Sequence, residues 1–107
     1  MFDFSGMLKK TYMFPKHVKL IKGKELPETP GAYIMHDSKG VILYVGKAAN
    51  LRRRVESYFT RPHDARIQKL VTEIREIELR HTDTAIEALI LEAELIKKLA
   101  PPFNVRE

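Results

Sequence analysis

The chain has 107 residues, with 19 lysines and arginines against 14 aspartates and glutamates, a formal charge of +5 and no cysteine. That length makes one domain whose core needs no covalent staple, and the missing thiols exclude disulfide scaffolds, zinc–thiolate and iron–sulfur sites and a cysteine nucleophile. No apolar run approaches the ~20 residues that span a bilayer, and the opening Met1-Phe2-Asp3-Phe4-Ser5-Gly6 lacks the regions of a signal peptide, so a soluble cytoplasmic protein without membrane contact is expected.

Residues 1–26 read as an N-terminal extension packed on the domain, with a short strand or helix in Lys16 to Leu26, and the domain proper runs over 27–107. Pro27, Pro30 and Gly31 close the extension. Ala32-Tyr33-Ile34-Met35 and Val41-Ile42-Leu43-Tyr44-Val45 flank the turn residues Asp37-Ser38-Lys39-Gly40, which predicts a β-hairpin. Its second strand is too apolar for a sheet edge with one wet face. Asn50 caps a helix carrying Leu51, Val55, Tyr58 and Phe59 on one side. After Pro62, Asp64 caps a second helix with the stripe Ile67, Leu70, Val71 and Ile74. Ile77 to Thr82 alternates as a third strand. Thr84-Ala85-Ile86-Glu87 is a capping box opening a helix to about Leu99, where Pro101-Pro102 stops it. The order β-β-α-α-β-α predicts a small α+β sandwich, a three-stranded and mainly antiparallel sheet flanked by helices.

Positive charge concentrates in residues 47–75, eight basic against three acidic. Lys47, Arg52, Arg53, Arg54, Arg61, Arg66 and Lys69 lie there, and they suit either a polyanion or a solvated helix face. Arg54 borders the core through the Leu51–Val55 stripe and lies one turn from Tyr58, whereas Arg52 and Arg53 point outward. Tyr33 and Tyr44 project from one sheet face if the register pairs them; alone, they are core tyrosines with satisfied hydroxyls. Gly46 permits close approach of a ligand to the backbone, with Lys47 at the strand's end. On the last helix Ala85, Ala88, Leu89, Leu95, Ile96 and Leu99 surround Glu92. A carboxylate in an apolar stripe is costly unless a cation or donors meet it, so Glu92 is a candidate metal ligand or catalytic group, or else the partner of an arginine. His17, His36, His63 and His81 show no paired metal-ligand spacing and read as surface or structural residues.

Gly31-Ala32-Tyr33, ten residues, and then Tyr44-Val45-Gly46-Lys47 resemble the signature of the GIY-YIG nucleases. Pro30 to Tyr33, Tyr44 to Ala48, Asn50-Leu51 to Arg54 and Ser57-Tyr58-Phe59 are particularly similar to the N-terminal domain of the excinuclease subunit UvrC. The similarity continues through Thr82-Asp83, Glu87-Ala88-Leu89, Leu91-Glu92, Leu95 to Lys98 and Phe103-Asn104-Val105. Ala85, Glu94 and Pro102 depart from the family's usual acid, asparagine and basic residue, which puts accessory DNA contacts in doubt. The resemblance implies a metal-dependent DNA endonuclease making a 3′ incision in nucleotide excision repair, with Mg²⁺ or Mn²⁺ as cofactor. Glu92 then binds the metal, Arg54 contacts the phosphate, and Tyr33, Tyr44, Lys47 and Tyr58 line the reacting centre. Gly31, Gly46 and Asn104 support it. A free phenol is ionised only about one part in a thousand at pH 7, so a tyrosine base needs ~4 kcal/mol of help; Lys47, Arg54 and the metal are there to give it, with Tyr33 or Tyr44 as the base. The partners expected are DNA and a UvrB-like repair protein, with the chain a monomer. The stretch before Tyr33 is longer than UvrC needs, which reads as a stand-alone protein rather than a fragment. A non-catalytic nucleic-acid-binding module is the first alternative. An interaction domain docking on a repair partner through Thr84–Leu99 is the second, disfavoured because that helix shows charges rather than an apolar patch. No base-reading motif occurs, so recognition should follow backbone and distortion rather than sequence.

Overall fold

The computed structural model of the chain describes residues 15–21 and 25–104; the rest of the expected N-terminal extension and Val105 lie outside them. Along the chain follow β1 (Lys19–Ile21), β2 (Gly31–His36), β3 (Ile42–Ala48), α1 (Leu51–Thr60), α2 (Ala65–Glu73), β4 (Glu76–His81) and α3 (Ala85–Leu99). The hairpin turn forms as its residues dictate. The Asp37 carboxylate accepts from the Lys39 and Val41 amides at 2.8 and 2.9 Å, and Gly40 takes φ +83°, a left-handed conformation that is strained for residues with a Cβ.

Among the described residues, all three helix starts are held by the residues the sequence nominates. Asn50 accepts from the Arg53 amide at 3.0 Å and Asp64 from the Ile67 amide at 2.9 Å. Thr84 accepts from the Glu87 amide at 3.1 Å while Glu87 accepts from the Thr84 amide at 3.0 Å, both halves of the capping box. β4 begins and ends one residue earlier than the alternation suggests, at Glu76 and His81.

The sheet has four strands rather than three, in the order β1-β4-β2-β3. β2 pairs antiparallel with both β3 and β4, and β1 lies parallel to β4 with Leu20 opposite Ile77. Part of the stretch before Pro27 thus belongs to the sheet, and Val18 and Leu26 are buried in the core. Three residues are too few to show an alternation, so β1 left no periodic signal.

β3 stands at the sheet's edge, contrary to its apolar character. The end of the chain explains this. The Phe103 amide donates to the Leu43 carbonyl at 3.0 Å. The Asn104 carboxamide accepts from the Val45 amide at 2.8 Å and donates to the Val45 carbonyl at 2.9 Å. That side chain replaces one rung of a missing strand and closes the edge. Ala100 at φ 44° ends α3 and turns the chain back toward β3.

One sheet face packs Tyr33, Met35, Leu43 and Ala48 against Leu51, Val55 and Tyr58 of α1 and Leu70 of α2. The opposite face packs Ala32, Ile34 and Val45 against Leu95 of α3, with Leu91, Ile96 and Leu99 alongside.

Candidate active site

The hairpin register sets Gly46 opposite Tyr33 and Tyr44 opposite Met35. Tyr33 and Tyr44 therefore lie diagonally on the face toward α1, where Tyr58 joins them. Their ring centroids are 6.2 Å apart for Tyr33–Tyr44, 5.8 Å for Tyr33–Tyr58 and 6.4 Å for Tyr44–Tyr58. The Tyr33 and Tyr58 hydroxyls share a hydrogen bond of 2.6 Å. Tyr33 is only 1% exposed and Tyr58 is buried, while Tyr44 is half-buried. A Cβ on Gly46 would overlap the Tyr33 ring and hydroxyl, so this glycine makes room for the tyrosine and not for a ligand. Gly31 likewise lies against the Arg80 carbonyl of β4.

His63, read from the sequence only as a surface or structural residue, stacks on Tyr58 with centroids 5.6 Å apart and an interplanar angle of 25°. Its Nε2–H donates to the Ser57 carbonyl at 2.9 Å. Its only signal was nearness in sequence across Pro62, which carries no direction for the ring.

Burial pushes the Tyr33 phenol well above the usual value, Tyr58 and Tyr44 add to the shift, and Arg54 opposes it. The Tyr58 phenol moves the same way, through burial first and then Tyr44, again with Arg54 opposing. In the unfolded chain both phenols ionise near pH 10, whereas the folded protein keeps them neutral. Their contribution to stability is complete below that pH and is lost as pH rises from it toward the folded values. Thermal melts should therefore show Tm falling above about pH 10, with a shallower fall in Tyr33→Phe; identical slopes in the two proteins would contradict the burial argument.

Arg54 also faces a groove of about 330 Å³ lined by Lys47, Ala48 and Ala49, by Arg54 itself, and by Ala85, Ile86, Ala88 and Leu89 of α3. Lys47 is exposed and pairs with Ala32 on the sheet face toward α3. The two arginine placements reverse the expectation. Arg54 is exposed, whereas Arg52 is half-buried and donates through Nε to the Leu26 carbonyl at 3.0 Å, because the Leu26–Pro27 segment crosses the start of α1. The other cations do not converge on this groove. Arg52, Arg53 and Arg61 line a separate hollow of about 260 Å³ with Glu28 and Glu56, Arg66 donates to the Phe103 carbonyl, and Lys69 is exposed on α2.

Glu92 sits less deep than its expected setting. Ala88 and Leu95 are buried and Leu91, Ile96 and Leu99 half-buried, but Ala85 and Leu89 are exposed, so the carboxylate lies half-buried at the border of the stripe. Glu92 follows Ala88 and Leu89 by one helical turn and extends their side of α3. It makes no hydrogen bond or ion pair among the described residues, so the alternative of an arginine partner finds none there. Among those residues no three His, Cys, Asp or Glu gather. A donor set of one unpaired carboxylate suits magnesium, which takes one or two carboxylates and completes its shell with water and phosphate oxygens. α3 also carries the apolar patch that the sequence reading denied it: Ile86, Leu89 and Ile90 are 70%, 48% and 53% exposed. The sheet covers one side of α3, and its apolar residues occupy more than one side.

Residues 29–105 match the family model of the UvrC-like GIY-YIG domain. The chain is 54% identical over 80 residues to UvrABC system protein C of Moorella thermoacetica and 55% identical over 84 residues to that of Synechocystis sp.. These matches cover 75% and 77% of this chain and 13% of each relative, so the chain spans about an eighth of the length of those proteins. The crystal structure of the GIY-YIG N-terminal endonuclease domain of UvrC from Thermotoga maritima, bound to its catalytic magnesium, aligns with a TM-score of 0.69 at 41% identity over 75% of this chain and 88% of that one. A tyrosine-to-phenylalanine mutant of that domain, bound to its catalytic divalent cation, aligns with the same TM-score over 76% of this chain. No helix among the described residues is long and apolar enough to cross a membrane.

Proposed function

The chain belongs to the UvrC-like GIY-YIG domain family, and we propose that it is a metal-dependent DNA endonuclease that hydrolyses one phosphodiester bond, making the 3′ incision of excision repair. It acts in the cytoplasm as a monomer, with a UvrB-like protein as repair partner. The observation that carries this reading is the groove in which Lys47 and Arg54 converge, with the tyrosine cluster on one side of Arg54 and α3 on the other.

Arg54 offers the scissile phosphate a planar pair of donors and Lys47 a point charge, and both act most strongly as negative charge builds on the phosphate. Glu92 would hold the ion, which when bound polarises phosphate oxygens and acidifies water. Of the two hairpin phenols, Tyr33 is buried and committed to Tyr58, so it positions the cluster. Tyr44 is the more exposed phenol, and as the phenolate it accepts the proton of the attacking water. Asn104 holds the β3 edge from which Tyr44 and Lys47 project.

Supercoiled plasmid and a damaged duplex incubated with the chain should be nicked in Mg²⁺ or Mn²⁺ and spared in EDTA. Arg54→Ala should slow nicking roughly 10²- to 10³-fold, the usual cost of one transition-state donor. Salt-sensitive binding without nicking at any metal concentration, with or without a UvrB-like protein, would instead favour a non-catalytic nucleic-acid-binding module.

A further inference from the structure

Among the described residues that line the groove, Lys47 and Arg54 supply the only polar side chains. Everything else there is aliphatic, and two of its members protrude. Ile86 is 70% and Leu89 is 48% exposed, and at a spacing of three they stand side by side on the first turns of α3. Two cations suffice to seat a phosphate, so this neighbouring apolar pair answers to a different part of the substrate. DNA carries apolar area of that kind on the faces of its bases, which a stacked duplex hides and an opened base step presents. Leucine and isoleucine are among the side chains that DNA-bending proteins insert at such steps. With Lys47 and Arg54 engaged by the phosphate, the lining among the described residues has no further side chain able to read a base edge, so the contact is blind to sequence.

Resting on the endonuclease reading, we propose that Ile86 and Leu89 form an apolar wedge that packs against an unstacked base next to the phosphate held by Lys47 and Arg54. Opening a step costs least where the duplex is already mismatched or damaged. The wedge therefore turns a local distortion into faster cleavage, with no base identified. Ile90 is 53% exposed on the same helix but is not part of the groove lining, and it serves as the internal comparison.

The test uses duplexes carrying 2-aminopurine beside the cleaved phosphate, either matched or in a two-base bulge. Fluorescence and strand cleavage are followed together in a single turnover with excess protein and Mg²⁺. A fluorescence rise that precedes cleavage is expected, with the bulged duplex cut roughly tenfold faster than the matched one. Ile86→Gln and Leu89→Gln, exposed positions given a good helix former, should lose the rise and bring the two rates together. Ile90→Gln should behave as wild type. Cleavage without a preceding rise, or equal loss on both duplexes (a sugar contact), overturns the wedge and leaves the endonuclease reading standing. An Ile90→Gln that matches Ile86→Gln also overturns it, in favour of a protein-docking patch. Neither rise nor cleavage removes both readings.

Discussion

Replacing Glu92 with alanine should lower metal-dependent nicking by roughly 10³-fold, the scale expected when the carboxylate proposed to hold the ion is lost. The same substitution should leave the melting temperature unchanged or raise it. Glu92 is half-buried beside Leu91, Leu95 and Ile96 and has no ion pair or hydrogen bond among the described residues, and a carboxylate in that setting opposes folding. Loss of activity together with retained or increased stability is the pattern of a group kept for chemistry. Plasmid nicking, Mg²⁺ titration by calorimetry and a thermal melt decide the matter. Wild-type nicking would remove Glu92 from the site, and a large fall in Tm would assign it to the core.

Tyr44→Phe should cost roughly 10²- to 10³-fold in single-turnover cleavage, within the span of general acid–base catalysis, with little change in stability because its ring stays in place. Tyr33→Phe should do the reverse. It breaks the 2.6 Å hydroxyl pair with Tyr58 and destabilises by about 1 kcal/mol, while cleavage falls tenfold or less. The two phenols share a sheet face but not an environment, since Tyr33 is sealed under α1 and Tyr44 is only half-buried. Cleavage rates against pH for both variants separate them, and full activity in Tyr44→Phe would remove the phenol from proton transfer.

What could be read from the sequence was local. Asn50, Asp64 and the Thr84–Glu87 pair each fix a helix start through contacts three residues away, and Asp37 and Gly40 fix the hairpin. That Tyr33 and Tyr44 share one sheet face followed from strand alternation once the register was known. The errors all involve a partner distant in the chain. β1 exists because β4 offers it an edge, not because Lys19–Ile21 is a strong strand. Gly46 looked open to a ligand because nothing in its own strand shows that the Tyr33 ring crosses above it. Arg52 is the more covered of the two arginines because the Leu26–Pro27 segment crosses the first turn of α1. For Glu92 the helix face was legible and the depth was not, since depth depends on how wide an arc of α3 the sheet covers.

The Asn104 carboxamide grips Val45 across 59 residues of sequence. During synthesis the hairpin, α1 and the three tyrosines emerge before Asn104, and the outer edge of β3 stays unpaired until that residue has left the ribosome. β3, which carries Tyr44 and Lys47, is therefore closed later than it is made, and for that interval its edge is a place where two nascent copies can pair with each other.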